Sequence, residues 1–403
     1  MNALEVTGLS KSFGDFRLQN VSFTLPMGCA LGLVGENGAG KSTTISLLLG
    51  LLERDGGTVR VLGHEPGADF EAVKEGIGVV FDEAAFPDGV NARQVDRIER
   101  CLYRNWDSAA YFGHLRRYDL PETKRFKDFS RGMKMKLALA VALSHGAKLL
   151  LLDEATGGLD PFARDELLRE LEDFIADGQH AVLLSSHIVS DIEKLCGRVV
   201  FLHKGHVLLD EEKDALLAAH PEKNVGGYPP RHDRRRAERM KIRGLLLKDI
   251  YELWAQSRVL LLLIAAYLLI PALTGGGTML GSVGLLLLAM LPASAIGYDE
   301  RSKWERYALT MPVTKRQLHA EKFLLGFLAL TLGAALQLVL AFAFGHTELL
   351  STVLLAYVCG LAYLALLLPL LFKLGLEKGR MLFLLLTVGA LVLTGSLGEF
   401  FAG

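Results

Sequence analysis

Cysteine is scarce in this chain of 403 residues, with Cys29, Cys101, Cys196 and Cys359 widely separated along the sequence. None forms a CxxC pair or lies at the Cys/His spacing of a zinc site. We therefore expect neither a disulfide framework nor a structural zinc.

Net charge is also nearly absent, at −1 with histidine neutral. That balance disfavours a nucleic-acid binder whose affinity comes from neutralising phosphates, so we expect no nucleic-acid partner.

Charged residues are unevenly distributed along the chain. They dominate before about residue 245, and runs of Leu, Ala, Val and Gly dominate after it. A chain of this length exceeds what one hydrophobic core usually organises, so at least two domains are expected. The first thirty residues alternate like strands and lack the apolar stretch of a signal peptide. The sequence predicts a soluble, cytosolic half tied to a membrane half.

The stretch VSFTLPMGCALGLVGENGAGKSTTISLLLGLL, residues 21–52, runs from two strands through a glycine-rich loop into an apolar helix. Its glycines let backbone N–H groups converge on phosphate oxygens, while Lys41 would reach the phosphates and Ser42 would ligate Mg²⁺. Thr43 would donate at the helix N-terminus. A plain glycine-rich turn is the alternative. The predicted nucleotide-binding residues of this loop are Gly35, Asn37, Gly38, Gly40, Lys41, Ser42 and Thr43.

Two adjacent carboxylates follow an apolar strand in KLLLLDEATGGLDP, residues 148–161. Such a strand is buried on both faces, and its polar end emerges at the sheet edge where ligands bind. Asp153 suits an outer-shell Mg²⁺ contact, and Glu154 suits a general base that polarises the attacking water. A solvated helix start is the bland alternative.

Two further groups point to the same edge of the sheet. His187 ends the apolar strand in AVLLSSHIVSDIEKL; a lone histidine is more often structural, but this position favours contact with ligand. Ser130 lies at a predicted helix N-cap, where its hydroxyl and the N–H of Gly132 would form an anion site.

The order of these motifs resembles the nucleotide-binding domain of ATP-binding cassette (ABC) transporters, over about residues 3–218. GENGAGKST resembles the Walker A loop, SRGMK the signature, LLLLDE the Walker B strand and GGLD the D-loop. The resemblance implies an α/β P-loop NTPase fold with a helical subdomain, ATP and Mg²⁺ as cofactors, Phe13 stacked on adenine and His187 as switch histidine. It also implies two such domains arranged head to tail, and therefore a homodimer.

Four residues, in three motifs, depart from the family pattern. Arg131 and Met133 replace the usual second and fourth residues of the signature, and Gly157 stands in the D-loop. Asp82 replaces the Q-loop glutamine. We expect Asp82 to contact the metal through a water; capping of the following turn is the alternative.

Five apolar segments follow, at about 259–273, 279–297, 323–344, 350–372 and 381–398. Buried core helices are possible, but five in succession with few charges favour a bilayer. The first is short, at about 15 residues against a hydrocarbon core of ~30 Å. Lys and Arg concentrate in the loop 298–322 and in FKLGLEKGR, which places both in the cytosol with the ATPase.

The segment KIRGLLLKDIYELWAQSR predicts an amphipathic interfacial helix, with a solvated linker helix as the alternative. Its predicted apolar face comprises Ile242, Leu245, Leu246, Ile250, Leu253 and Trp254. The expected organisation is a nucleotide-binding domain at 1–220, a flexible Arg-rich linker at 221–239, and an all-α transmembrane domain at 240–403 that opens with the interfacial helix 240–257.

This second half resembles the permeases of type-2 ABC exporters, on its basic amphipathic start and the loop DERSKWERYALTMPVTKRQLHAEK. Asp82 and SRGMKMK resemble the exporters of bacitracin-resistance type and of phenol-soluble modulins, which are amphipathic peptide toxins. Relatives of that kind encode the permease separately, so Met240 resembles the start of a fused permease.

The sequence therefore predicts an ATP-driven exporter in a cell membrane, in a bacterium, that contacts lipids and moves amphipathic peptide or lipophilic cargo. The apparent lack of charge within the spans disfavours an ion path. Gln337, Tyr267, Tyr357 and Tyr363 could meet cargo or could serve interhelical packing. The competing hypothesis is a non-transporting ABC complex that regulates a partner.

Overall fold

The computed structural model describes residues 1–14, 16–67, 70–82, 86–157, 159, 161–212, 234–274, 278–346 and 350–374. The chain divides into two compact units. The first comprises Met1–Phe86, Asn91–Lys241 and Arg306–Thr314; the second comprises Pro87–Val90, Ile242–Glu305 and Lys315–Gly403. The first unit thus includes a short segment that lies far along the chain.

The first unit contains two sheets. Its strands are β1 (Asn2–Phe13), β2 (Phe16–Pro26), β3 (Ala30–Val34), β4 (Gly56–Val61), β5 (Ile77–Phe81), β6 (Leu149–Asp153), β7 (Ala181–Ser186), β8 (Arg198–His203) and β9 (His206–Glu212). An antiparallel three-stranded sheet has the order β2-β1-β4, and a six-stranded sheet has the order β5-β6-β7-β3-β8-β9. In the larger sheet only β9 is antiparallel to its neighbour.

Strands β3, β5, β6 and β7 are buried along their whole length, as their uninterrupted apolar sequences predict. Because these strands are parallel, their carboxyl ends meet at one edge of the sheet. The polar residues that follow each strand are therefore brought together there.

The helices of the first unit flank this sheet or form the region between β5 and β6. They are α1 (Lys41–Leu48), α2 (Glu71–Lys74), α3 (Ala92–Leu102), α4 (Ser108–Arg117), α5 (Arg131–Leu143), α6 (Pro161–Ile175) and α7 (Val189–Leu195). Helix α3 starts with a capping box in which Asn91 and Gln94 each bond the other's backbone N–H. This mixed α/β fold with a helical insertion between β5 and β6 agrees with the predicted fold class.

The second unit is helical. Its helices are α8 (Arg234–Gln256, whose first residues belong to the first unit), α9 (Arg258–Thr274), α10 (Thr278–Ala289), α11 (Leu291–Ser302), α12 (Trp304–Ala308), α13 (Lys315–Ala343) and α14 (Leu350–Leu374). Among the described residues, Leu280–Ser302, α13 and α14 are each long and apolar enough to cross a membrane. Lys241–Gln256 and Arg258–Pro271, bent by 91°, pass that test only as a pair.

These helices adjust the predicted spans. The predicted span 259–273 coincides with α9, which alone does not meet the length of a crossing helix. The span 279–297 extends further, to Ser302. The span 381–398 lies outside the described residues.

The predicted linker 221–239 also differs from the structure at its end. Residues 213–233 are outside the described part of the chain, but helix α8 begins at Arg234 rather than at residue 240. The sequence RRRAERM holds Arg, Ala, Glu and Met, all of which favour a helix, and no proline follows Pro230 until α9. The helix can therefore extend back into the predicted linker.

Candidate functional site

The loop between β3 and α1 has the backbone that a phosphate-binding loop needs. Gly38 and Gly40 have φ values of 84° and 110°, in the region that favours glycine. A Cβ at Gly35 would lie 2.4 Å from the carbonyl oxygen of Leu202. Gly35 therefore permits an approach that no side chain could make, whereas Asn37 is exposed on the loop.

Lys41 lies almost wholly inside this loop, with 5% of its surface exposed. Its Nζ donates to the carbonyl oxygens of Gly35 at 2.7 Å and Glu36 at 3.2 Å. The same ammonium lies 3.0 Å from Oε1 of Glu154. The loop thus holds a buried cation beside a carboxylate, at the N-terminus of α1.

Asp153, the last residue of β6, connects three elements. Its Oδ1 accepts hydrogen bonds from Ser42 at 3.1 Å and from Ser185 at 3.2 Å. Burial raises the pKa of this carboxyl above its ordinary value, and the two hydrogen bonds oppose the rise. Ser42 and Asp153 offer the hard oxygen ligands that Mg²⁺ prefers.

Glu154 and His187 lie against each other. The Nδ1 atom of His187 is 2.6 Å from Oε2 of Glu154, while Oε1 faces Lys41. Glu154 has a φ of 55°, and its N–H donates to the carbonyl oxygen of Ser185. The two adjacent carboxylates therefore have different partners: Asp153 accepts from Ser42 and Ser185, and Glu154 lies against His187 and Lys41.

The predicted signature begins helix α5, with Ser130 as its N-cap. The Ser130 hydroxyl accepts a hydrogen bond from the N–H of Met133 at 3.2 Å, which confirms the predicted cap. Gly132 lies in the first turn and is half-buried. A nucleotide contact by either residue remains a prediction.

The structure gives Asp82 a partner that the sequence did not predict. Its carboxylate forms an ion pair with Arg131, the residue that follows the cap of α5. Neither the predicted metal contact nor the predicted turn cap accounts for that partner. Asp82 and Arg131 are the two departures from the family pattern that carry charge, and they lie in contact.

Of the other predicted residues, Phe13 ends β1 and is 40% exposed, with the Lys11 ammonium 5.5 Å from its ring centroid. An exposed ring can stack on a base. Thr43 lies half-buried in the first turn of α1.

Sequence reasoning missed the details of the segment Arg306–Thr314, which belongs to the first unit. Lys74 donates to the carbonyl oxygen of Leu309 at 2.5 Å, and the rings of Tyr307 and Phe86 meet at 4.9 Å. Arg306 lies 4.4 Å from the centroid of Phe81. Composition gave only a basic loop at 298–322, with no indication of these partners.

A buried ion network in the second unit was also missed. It comprises Lys248, Asp249 and Glu252 of α8, Asp299 of α11, and Glu321 and Lys322 of α13. Lys322 Nζ lies 2.6 Å from Asp249 and 2.7 Å from Asp299, and Lys248 also pairs with Asp299. Charge is therefore not confined to the loops, because it extends into helices α8, α11 and α13.

The network revises the predicted amphipathic face of α8. Leu245 and Leu253 are buried, but Ile250 and Trp254 are 52% and 68% exposed. Lys248 and Asp249 of the same helix are buried instead, because each forms an ion pair with an oppositely charged residue of α11 or α13. A pattern of side-chain polarity along one helix does not reveal such partners.

Comparisons with known proteins agree with this geometry. The family described as ABC transporter matches residues 18–157, and the family described as ABC-2 family transporter protein matches residues 244–402. Nod factor export ATP-binding protein I of Rhizobium sp. (strain N33) is 36% identical over 227 residues, which cover 54% of this chain and 73% of that protein. The chain belongs to the ABC transporter family.

Two further similarities fall on the same half of this ABC transporter. Lantibiotic transport ATP-binding protein SrtF of Streptococcus pyogenes is 33% identical over 215 residues, 52% of this chain and 91% of that protein. A solved ATP-binding subunit of an ABC transporter has 28% identity and a TM-score of 0.48, and covers 53% of this chain and 90% of that one.

ABC ATPase domains bind ATP and hydrolyse it with Mg²⁺, and the residues of this site fit both. The loop presents a lysine and open backbone for phosphates, and Ser42 and Asp153 bring two oxygen ligands within 3.1 Å of each other. The transporter therefore combines an ATPase domain with an ABC-2 membrane domain in one chain.

Proposed function

We propose that this transporter exports amphipathic or lipophilic cargo, small peptides in particular, across a bacterial cell membrane, with its ATPase domain in the cytoplasm. The single observation that carries the proposal is that one chain joins the ATP site to an ABC-2 transporter domain with apolar crossing helices. The proposal also assigns roles to the site residues, a class of cargo and a homodimeric state.

At the ATP site, Lys41 and the loop N–H groups would hold the phosphates, and Ser42 and Asp153 would hold Mg²⁺. When bound, Mg²⁺ neutralises phosphate charge and fixes the position of the terminal phosphate. Glu154 would accept a proton from the attacking water, with its carboxylate oriented by the His187 contact at 2.6 Å. The remaining predicted contacts are Phe13 with adenine, and Ser130 and Gly132 with the phosphates of a second chain's nucleotide.

A homodimer suits a chain with one ATPase domain, since the family resemblance implies that each nucleotide lies between two such domains. Phe162 supports this, because it is the second residue of α6, shortly after GGLD in the sequence, and is 80% exposed. A large apolar side chain in that position favours burial against a second copy.

The type of cargo and the direction of transport rest on the names of two relatives and on an exposed apolar surface. The relative named for lantibiotic transport supports a peptide, and the relative named for Nod factor export supports export as the direction. Apolar side chains on α13 and α14, among them Leu332, Val339 and Val358, are 60% to 70% exposed, as a lipid-facing or cargo-facing surface requires.

Some polar groups predicted to meet cargo have partners within the protein. Gln337 is buried and donates to the carbonyl oxygen of Gly281 at 3.3 Å. The hydroxyls of Tyr357 and Thr331 lie 3.1 Å apart. These contacts favour interhelical packing for both residues, so the cargo surface we propose is mainly apolar.

The finer assignment, to the phenol-soluble modulin and bacitracin-resistance branch, we base on Asp82 and SRGMKMK. A test is to reconstitute the full chain in liposomes and measure ATP hydrolysis with and without amphipathic helical peptides. Stimulation by such peptides, absent with equally charged non-amphipathic peptides, would support export. Hydrolysis indifferent to every peptide and to lipid composition would contradict it and favour a regulatory complex.

A further inference from the structure

Arg306 reaches the ATP site from an unexpected part of the chain. It is the first residue of the segment Arg306–Thr314, which joins the first unit, and the residues before and after that segment belong to the second unit. Tyr307, Ala308 and Met311 are buried, whereas the Arg306 side chain is 47% exposed. The segment is anchored by its apolar residues, and its arginine extends into a polar environment.

The register of the sheet explains where the guanidinium lies. Phe81 and Asp153 are paired residues at the carboxyl ends of the adjacent parallel strands β5 and β6. Paired residues of neighbouring strands project to the same face. Arg306 lies over the Phe81 ring at 4.4 Å, and its Nη2 is 3.9 Å from Oδ2 of Asp153.

The two oxygens of Asp153 have different partners. Oδ1 accepts the hydrogen bonds from Ser42 and Ser185, and Oδ2 faces Arg306. Within the described part of the chain, Arg306 is the cationic side chain that lies within 4 Å of this carboxylate. Lys41, the other cation of the site, pairs with Glu154.

The nearby carboxylate of Asp82 has a different partner from Asp153. Asp82, one residue after Phe81, pairs with Arg131. Within the described residues, the carboxylate that lies beside Arg306 is therefore that of Asp153, and a buried carboxylate at that position favours a cation beside it.

We propose that Arg306 competes with the metal of the nucleotide site for Asp153, so that metal binding displaces the guanidinium and is communicated to the segment Arg306–Thr314. The inference rests on the proposed metal ligation by Ser42 and Asp153. A divalent cation and a guanidinium at one carboxylate repel each other, so each weakens the binding of the other. By linkage the effect is reciprocal: whatever moves the segment away from the site strengthens metal binding.

The consequence concerns coupling. The segment is continuous with α11 through α12 on one side and with α13 on the other. A change in the position of Arg306 is therefore transmitted directly into the chain that forms two of the apolar crossing helices. Through Arg306, the presence or absence of metal at the nucleotide site would change the position of this segment.

The test measures Mn²⁺ binding by electron paramagnetic resonance, in full-length protein with the non-hydrolysable analogue AMP-PNP. Arg306→Gln removes the charge, Arg306→Lys retains it, and Arg316→Gln removes a charge from an exposed position in the first turn of α13. We expect Arg306→Gln to bind Mn²⁺ roughly threefold to fivefold more tightly, as a partly exposed ion pair allows. Arg306→Lys and Arg316→Gln should remain near the wild type.

A second readout is hydrogen–deuterium exchange of residues 304–314. In the wild type, exchange in this stretch should rise when Mn²⁺ joins AMP-PNP; in Arg306→Gln it should start high and stay constant. AMP-PNP binding in EDTA, unchanged in all variants, confirms an intact loop.

Equal Mn²⁺ affinity in wild type and Arg306→Gln would overturn the inference, as would weaker binding of both metal and nucleotide, which would make Arg306 a phosphate contact. Failure of the underlying site is distinguishable, because it would appear as Mn²⁺ binding that Asp153→Asn leaves intact.

Discussion

Glu99 in α3 is a carboxyl group buried without compensation. It has no exposed surface, and neither carboxylate oxygen has a hydrogen-bond partner among the described residues. Burial raises the pKa of Glu99 from 4.5 to about 8. The folded chain therefore holds a proton on Glu99 at neutral pH, whereas the unfolded chain does not.

The sign of the effect on stability follows from the proton count. Between pH 4.5 and about 8 the folded state binds more protons than the unfolded state, so the free energy of unfolding falls as pH rises. Its contribution is fully present below pH 4.5 and is lost by about pH 8. At ~1.4 kcal/mol per pH unit, the loss over this window is on the order of 5 kcal/mol.

The substitution Glu99→Gln removes the titration and keeps the shape. We expect the variant to gain stability relative to the wild type as pH rises, by a difference in unfolding midpoint of roughly 5–15 °C between pH 5 and pH 9. The assay is thermal unfolding of the full chain in detergent at several pH values, with Glu172→Gln, an exposed glutamate, as control. A wild-type-to-variant difference that stays constant with pH would refute an uncompensated carboxyl at this position.

Two further outcomes follow from the ATP site. We expect Glu154→Gln to bind ATP but to hydrolyse it ~10²- to 10⁴-fold more slowly, as loss of a positioned base implies; near-normal turnover in a phosphate-release assay would remove Glu154 from that role. The single variants Asp82→Arg and Arg131→Asp should each lower ATPase activity, and the double variant that exchanges the two charges should restore most of it. We expect a coupling energy of ~1 kcal/mol or less between the two residues, because both side chains are about half exposed. Activity of the double variant no better than that of the worse single variant would show that the ion pair itself is not needed.

The core of the ATP site could be predicted because each of its parts is local in sequence. Gly38, Lys41 and His187 follow apolar strands, Asp153 ends one, and parallel strands place their carboxyl ends together. Local patterns therefore gave both the strands and the polar residues at their ends. The N-cap by Ser130 was predictable for the same reason.

The missed contacts join residues that are distant in sequence. Arg306 and Asp153 are far apart in the sequence, and Lys322 and Asp249 belong to different helices. Nothing in the composition near either residue indicates its partner. Asp82 was assigned to the metal by resemblance, and its ion pair arises because a second departure, Arg131, supplies a complementary charge.

The start of α8 was missed for a different reason. Arg-rich and Gly-Pro-rich residues adjoin there, and the prediction assigned both to one linker, although RRRAERM alone favours a helix. The prediction gave more weight to the Gly and Pro residues before Arg234 than to the helix propensity of the residues that follow it.

ATP-driven movement of cargo is most directly measured in proteoliposomes that hold the full chain with its ATPase domain outside. A fluorescent amphipathic peptide is added outside, and its accumulation within the lumen is followed after ATP and Mg²⁺ are supplied. We expect accumulation that needs hydrolysable ATP and disappears in Glu154→Gln. Hydrolysis of ATP at the full rate with no accumulation of any amphipathic peptide or lipid probe would contradict export as the function of this transporter.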